Sequence, residues 1–372
     1  MARSESGLRI AHVSGETGFS GGEVQVFLLM EGLRDAGHEN LLICPPDSRA
    51  RAEAEKRGIA TASVAMRNDL SLPASWRTTR ILREQRPHLV HCHTGRANWV
   101  GGLAAWRAGI PALTTRRMDR RVKRGPRTRW LYGRVMRRAA AISPAVATRL
   151  EEGGVAADRI RLIWSSVDPA TLTPSADRAQ LRSERDVRDD DVVLLVTANL
   201  VRRKGIDLLI EALARCAEAP GLRLWVVGDG VEKEALEALA RERGVTARAT
   251  FFGRRDDIAD WLEACDVFVL PSRLEGLGVA ALEAMARARP VVASAVGGLA
   301  EVVLHEETGL LVQPEDADAL AAALQRMHAD AVLRDRLGHA GAQRIRDTFT
   351  ASKMVEQYVA LYREILAETE TT

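Results

Sequence analysis

Two carboxylates stand eight residues apart in the stretch Pro271–Glu283: Glu275 and Glu283. Gly276 and Gly278 sit between them, around Leu277. Carboxylates accept hydrogen bonds from hydroxyls, and backbone amides left bare at the start of a helix attract anions, phosphates above all. Two cations, Arg203 and Lys204, follow an earlier apolar run. A sugar carried on a diphosphate needs all three kinds of group: acceptors for hydroxyls, amides for phosphate, and positive charge where a leaving diphosphate gathers negative charge. Taken singly these residues read more simply, as a helix cap, a solvated acid and surface cations.

Other candidates surround them. Gly15–Gly22 is a glycine-rich loop after a strand, and it is neither G-x-G-x-x-G nor a P-loop. Gly228-Asp229-Gly230 closes another strand but lacks the third glycine of a dinucleotide fingerprint. His91-Cys92-His93 ends a strand. Alternation puts the two histidines on one face and the cysteine on the other. Two histidines with no third ligand expected nearby make a poor metal site, so none is predicted. The acids at Asp189–Asp191, Asp256–Asp257, Asp316 and Asp318 fall at a linker or at helix starts, where carboxylates act as caps.

The elements that must position these groups follow from hydrophobic period and punctuation. Around the two glutamates, an apolar strand at 267–270 leads through a loop at 271–278 into a helix at 279–287 and a strand at 291–295. That is a βαβ unit, and such units bind ligands at the carboxyl ends of their strands. The same alternation predicts strands at 8–14, 40–44, 88–92, 111–115, 139–143 and 158–167. After a charged, turn-rich stretch it restarts at 192–198, 222–227, 249–253 and 309–312. The expected organisation is an α/β chain with a first domain at 1–168, a linker at 169–190 and a second domain at 191–352. An amphipathic helix from 353 to the end closes the chain.

The string PS-x-x-E-G-x-G, a second glutamate seven residues on, a helix of small residues, then RPVVAS and GG, resembles the donor-site signature of family 4 glycosyltransferases with the GT-B fold. The resemblance extends over nearly the whole chain. It implies two Rossmann-like domains facing across a cleft, with the last helix crossing back to the first. It implies that Glu283 binds ribose hydroxyls, and that Glu275, Gly276, Leu277 and Gly278 hold sugar and phosphate. Lys204, in Lys204-Gly205, matches the phosphate-binding lysine, and Gly228 lies on the donor side. The family often has an arginine at the position of Asn199, so Arg202 or Arg203 must supply the second cation here. Gly21 and Gly22 match active-site backbone, and His93 matches the histidine facing the reacting centre.

On that basis the chain is expected to be a retaining, metal-independent hexosyltransferase needing no cofactor. It would move sugar from a nucleotide-diphosphate donor to a glycan or lipid-linked acceptor in bacterial envelope synthesis, lipopolysaccharide or glycolipid. A non-catalytic relative that binds nucleotide or glycan, or an epimerase or phosphorylase on the same fold, are the alternatives.

Composition sets the outer bounds. Its 372 residues exceed one ordinary core, and 46% hydrophobic content is that of a globular protein. Cys44, Cys92, Cys216 and Cys265 show no disulfide or zinc spacing. No window resembles a leader or a membrane span, so a cytoplasmic protein, peripheral at most, is expected. The net charge is only +3, but Arg116–Arg138 is densely cationic with Trp130, Leu131, Tyr132 and Val135 interleaved. A solvated face, a nucleic-acid surface and an anionic membrane surface compete for that stretch. No nucleic-acid motif accompanies it, and the membrane surface is favoured.

Overall fold

The computed structural model describes residues 7–18, 20–69 and 71–370. Residues 1–6, where the stretch read for a leader begins, lie outside that set, as does position 19 of the glycine-rich loop. The chain divides into two compact units, one running to Ser165 and resuming at Ala351, the other Ser166–Thr350.

The first unit is a seven-stranded parallel sheet: β1 (Arg9–Val13), β2 (Glu39–Cys44), β3 (Ala60–Ser63), β4 (Leu89–Cys92), β5 (Ala112–Arg116), β6 (Met136–Ala141) and β7 (Ile160–Leu162), in the order β3-β2-β1-β4-β5-β6-β7. Its central strands are buried on both faces, as a sheet covered by helices requires, with His12, His91, Thr114 and Thr115 as buried polar residues among them. Its helices are α1 (Gly21–Asp35), α2 (Arg49–Lys56), α3 (Leu72–Gln85), α4 (Gly95–Ala108), α5 (Pro126–Trp130) and α6 (Pro144–Glu152). Ser20 caps α1 through a capping box with Glu23, so the glycine-rich loop turns directly into helix. The order reverses between β1 and β4, where His12 pairs in register with His91.

The second unit is a six-stranded parallel sheet: β8 (Val192–Thr197), β9 (Leu222–Val227), β10 (Ala249–Gly253), β11 (Val267–Leu270), β12 (Val291–Ser294) and β13 (Gly309–Val312), in the order β10-β9-β8-β11-β12-β13. Its helices are α7 (Arg178–Ser183), α8 (Ile206–Arg215), α9 (Lys233–Glu242), α10 (Ile258–Ala264), α11 (Val279–Ala286), α12 (Leu299–Val302), α13 (Ala317–Ala329) and α14 (Ala331–Thr348).

The last helix, α15 (Ala351–Glu370), belongs to the first unit. Tyr358, Leu361, Tyr362 and Ile365 pack with Ile10, Leu29, Leu33 and Leu89. Arg138 and Arg161 both bind Glu364, at 2.9 and 2.5 Å. Apolar burial and ion pairing on one helix fix it to this sheet.

Two expectations are corrected. The stretch 169–190 is no linker. It carries α7 and is part of the second unit. Leu181 is buried there, and Arg178 and Arg182, one turn apart, both reach Asp266. Their guanidinium groups also donate to the carbonyls of Glu263, Ala264 and Cys265 at the end of α10. The arginines that read as linker charge instead cap a helix terminus.

Nor is Arg116–Arg138 one basic face. Asp119 is buried and binds Arg149 at 2.8 Å, Arg138 binds Glu364, and Leu131, Tyr132 and Val135 join the core. The exposed cations are Arg120, Arg121, Lys123, Arg124, Arg127, Arg129 and Arg134. All four cysteines are buried thiols. No described helix is long and apolar enough to cross a membrane.

Candidate active site

In the second unit Arg203, Lys204 and Glu275 converge at the carboxyl ends of β8 and β11, the two strands flanking the point where strand order reverses. Lys204 Nζ lies 2.5 Å from Glu275 Oε2, Arg203 Nη1 lies 4.0 Å from the same oxygen, and Ser272 Oγ donates to it at 3.3 Å. Lys204 and Glu275 are largely shielded from solvent, with side-chain exposures of 13% and 12%, while Arg203 is half exposed.

Glycine makes this approach possible. Gly205 has φ +67°, and a Cβ there would lie 1.9 Å from Pro271 O. Only a bare Cα lets the 202–204 turn sit against the 271–278 loop. Gly278, with φ +88°, starts α11, and a Cβ there would meet Leu299 Cδ2 at 2.4 Å. The loop is braced by Arg273. Its guanidinium makes a bidentate pair with Asp207 at 2.7 and 2.8 Å and donates to Arg202 O, while its backbone N–H donates to Arg203 O at 2.8 Å.

Glu283 lies in α11, one turn past its start. Burial alone lifts its carboxyl from 4.5 to about 7, so at neutral pH it is poised between acid and carboxylate. The Leu277 side chain is buried in the core, which leaves its backbone as the part able to meet a ligand. Gly228 closes β9 at φ +142°, where a Cβ would strike Ala198 O at 1.8 Å. It is there for backbone contact.

Within the first unit, Gly21 and Gly22 open α1, with nothing within 4 Å of a Cβ placed at Gly21. His93 follows β4 and is buried. A third histidine, His12 of β1, overturns the expectation that no further ligand lies near. The ligand atoms of His12, His91 and His93 fall within 4.8 Å of one another. Nearly every ring nitrogen is already engaged, however. His12 Nε2 bonds Asn40 Oδ1 at 2.9 Å, and His12 Nδ1 bonds His93 Nε2 at 2.9 Å. His91 binds the hydroxyls of Tyr362 and Thr115, at 2.8 and 2.7 Å. An ion would have to break most of these bonds.

Burial lowers the basicity of all three histidines, His12 to about 4, and Arg117 adds repulsion at each. Arg117 Nε donates to Gly22 O at 3.3 Å. Its Nη1, His93 Nδ1 and Ser14 Oγ are buried polar atoms with no hydrogen-bond partner among the described residues.

Comparison with known proteins agrees with this geometry. Residues 177–344 match the model of glycosyl transferases group 1, and residues 19–171 match that of glycosyltransferase family 4. The chain is 30% identical to a D-inositol 3-phosphate glycosyltransferase of Jonesia denitrificans over 80% of this chain and 77% of that one. It belongs to the family 4, group 1 glycosyltransferases.

The glycosyltransferase is also 29% identical to a lipopolysaccharide core biosynthesis glycosyltransferase, LpsD of Rhizobium meliloti, across 95% of this chain and 98% of the relative. Anabaena HepE, solved with UDP and glucose, shares its GT-B fold at a TM-score of 0.86 and 23% identity, covering 96% and 100% of the two chains. A sucrose-phosphate synthase from Thermosynechococcus elongatus does so at 0.81 and 26%, covering 97% and 100%.

Four residues of this glycosyltransferase were not singled out by sequence: His12, Asn40, Arg117 and Arg273. Arg117 is hidden in a run of cations. His12 stands alone in its strand, and its meaning depends on β1 lying beside β4. Arg273 could have been suspected as the cation nearest Glu275 in its loop.

Proposed function

We propose that this glycosyltransferase transfers a sugar with retention of anomeric configuration and without a metal ion or other cofactor. The observation that carries the reading is the Arg203–Lys204–Glu275 cluster at the reversal point of the second sheet. Lys204 and Arg203 take the place of a metal beside the diphosphate, neutralising the charge that develops as the bond breaks. Arg203, in contact range of Glu275, is assigned as the second cation in preference to Arg202. Glu275 and the 276–278 backbone hold the sugar and its phosphate, and the Glu283 carboxylate accepts from ribose hydroxyls. Gly21, Gly22 and His93 serve the acceptor and the reacting centre.

The bond from the anomeric carbon to the phosphate oxygen breaks, and the acceptor oxygen bonds to that carbon on the same face. The acceptor's proton passes to the departing phosphate. The lipopolysaccharide core relatives support an envelope glycan as acceptor, and the UDP bound by HepE makes a UDP-sugar the first donor to try. The exposed cations of 120–134, with exposed Trp106 packed edge-on against Trp130, suit an anionic membrane where such acceptors reside.

The test is a thermal-shift screen against UDP, GDP and ADP, followed by turnover of the matching donor. A nucleotide at 100 times its Kd stabilises by about 2.7 kcal/mol. Lys204→Ala and Glu275→Ala should abolish turnover, EDTA should not, and the product should keep the donor's anomeric configuration. Wild-type rates in both variants would overturn the assignment. Sedimentation with phosphatidylglycerol vesicles, and not with phosphatidylcholine vesicles, checks the membrane surface.

A further inference from the structure

Asn40 fixes a proton arrangement that ends on His93. Its Nδ2 donates to Met30 O at 2.9 Å, which settles the amide orientation and leaves Oδ1 facing His12 Nε2. An amide oxygen only accepts, so His12 Nε2 carries the hydrogen. His12 is fully buried and neutral at pH 7, so its Nδ1 is a bare lone pair. That lone pair lies 2.9 Å from His93 Nε2, with the two rings within 11° of coplanar, the geometry of an in-plane bond. His93 Nε2 must then be the donor. His93, also buried and neutral, is left with its Nδ1 unprotonated, and Nδ1 has no partner among the described residues. Such an orphaned acceptor is costly to bury, and structures retain that cost where it is used.

We infer that Asn40 and His12 are positioning residues for transfer: together they lock His93 in the Nε2–H tautomer, so that its Nδ1 lone pair is reserved for a substrate hydroxyl. The inference rests on the transfer reading for its use, and on hydrogen-bond direction at a buried, neutral His12 for the lock. Asn40 and His12 touch no substrate. They decide which way round His93 presents donor and acceptor, as second-layer partners orient histidine in other sites. Only an acceptor nitrogen can hold a hydroxyl through its hydrogen. The opposite tautomer would turn a proton towards the hydroxyl's hydrogen.

The experiment uses the full chain labelled with 15N-histidine. Two-bond nitrogen–proton correlations read the His93 tautomer without substrate, and transfer kinetics are measured in parallel. Wild type should show hydrogen on Nε2. Asn40→Asp places a carboxylate against His12 and favours its imidazolium. His12 Nδ1–H then donates to His93 and forces His93 to the Nδ1–H form. His12→Leu removes the partner, while His12→Asn keeps an acceptor near the former Nδ1.

Expected are losses in kcat of about 10- to 100-fold for Asn40→Asp and His12→Leu, with donor KM within about twofold, and recovery of most of the loss in His12→Asn. Hydrogen on Nδ1 of wild-type His93 overturns the lock, whether or not the variants fold. A tautomer that flips in Asn40→Asp with kcat unchanged overturns the positioning role. Failure to turn over any donor counts against the transfer reading and leaves the tautomer result standing.

Discussion

Lys204 and Glu275 are joined by a 2.5 Å ion pair across 71 residues of sequence, and both are shielded from solvent. The pair ties the loop after β8 to the loop after β11, the two loops that flank the reversal in strand order. Each partner keeps the other extended toward the same spot, so cation and carboxylate are in place before a donor arrives.

Breaking this pair from one side should cost more than removing it. Lys204→Ala leaves a largely shielded carboxylate with Arg203, at 4.0 Å, as its nearest remaining cation and Ser272 Oγ as a neutral donor. We expect a loss of about 1–3 kcal/mol in unfolding free energy. The double variant Lys204→Ala/Glu275→Ala should recover part of that loss while remaining inactive. Urea unfolding of the four members of the cycle measures the coupling. A double variant whose loss equals the sum of the two single losses would show that the pair is not coupled.

Gly205 is the second point at which the site can be broken by one atom. Gly205→Ala must move the 202–204 turn or the 271 loop, because Pro271 O already occupies the space. Gly58 supplies the control. It has a similar φ of +66° but nothing within 4 Å of an added Cβ. Gly58→Ala should cost only the backbone strain, about 1 kcal/mol. Gly205→Ala should cost about 1–3 kcal/mol more and should uncouple Lys204 from Glu275, seen as lost nucleotide-induced stabilisation. Equal losses in the two variants would mean that the close approach is not needed.

What could be read in advance follows from range. The Glu275–Glu283 unit is a continuous strand, loop and helix, so periodicity and turn residues placed it. Lys204 could be placed beside it because both loops leave carboxyl ends of strands in a doubly wound sheet. His12 carries no such signal. It becomes a partner of His93 only through the β1–β4 pairing, a choice of neighbour that a strand's own residues do not encode. Asn40 enters through β2 in the same way. The stretch 169–190 misled because an arginine serving a helix terminus has the same composition as an arginine in water. Arg117 was lost for the opposite reason, one half-buried cation turned inward among many exposed ones.

Glu283 gives the second unit a characteristic pH dependence. Its carboxyl titrates near 4.5 in the unfolded chain and about 7 when folded. Between these values the folded state binds more protons, so stability falls as pH rises. Ionised Glu283 should destabilise by about 3 kcal/mol at pH 8 and by less than about 1 kcal/mol at pH 5. Glu283→Gln should therefore stabilise the protein at pH 8 and scarcely at pH 5, while weakening nucleotide binding at both. Chemical denaturation at the two pH values is the check. A variant less stable than wild type at pH 8 would mean that the carboxylate has compensation within the fold.

The histidines of the first unit impose the reverse slope. His12 titrates near 6.5 when unfolded and about 4 when folded, because burial opposes its charge and Arg117 repels it. Between those values the unfolded chain binds more protons, so stability present above pH 6.5 is lost as pH falls. His12 alone should remove about 2 kcal/mol between pH 7.5 and pH 5. His91 and His93, held low by the same burial, add to the loss. His12→Asn should flatten the dependence by its own share and leave the rest. Within one chain, acid should loosen the unit that carries the histidines and tighten the unit that carries Glu283. Hydrogen exchange followed by proteolysis and mass spectrometry resolves the two separately. Protection of β1 and β4 should drop from pH 7.5 to pH 5, after correction for intrinsic exchange rates, while that of β11 and α11 rises. Parallel changes in the two would contradict the opposed titrations.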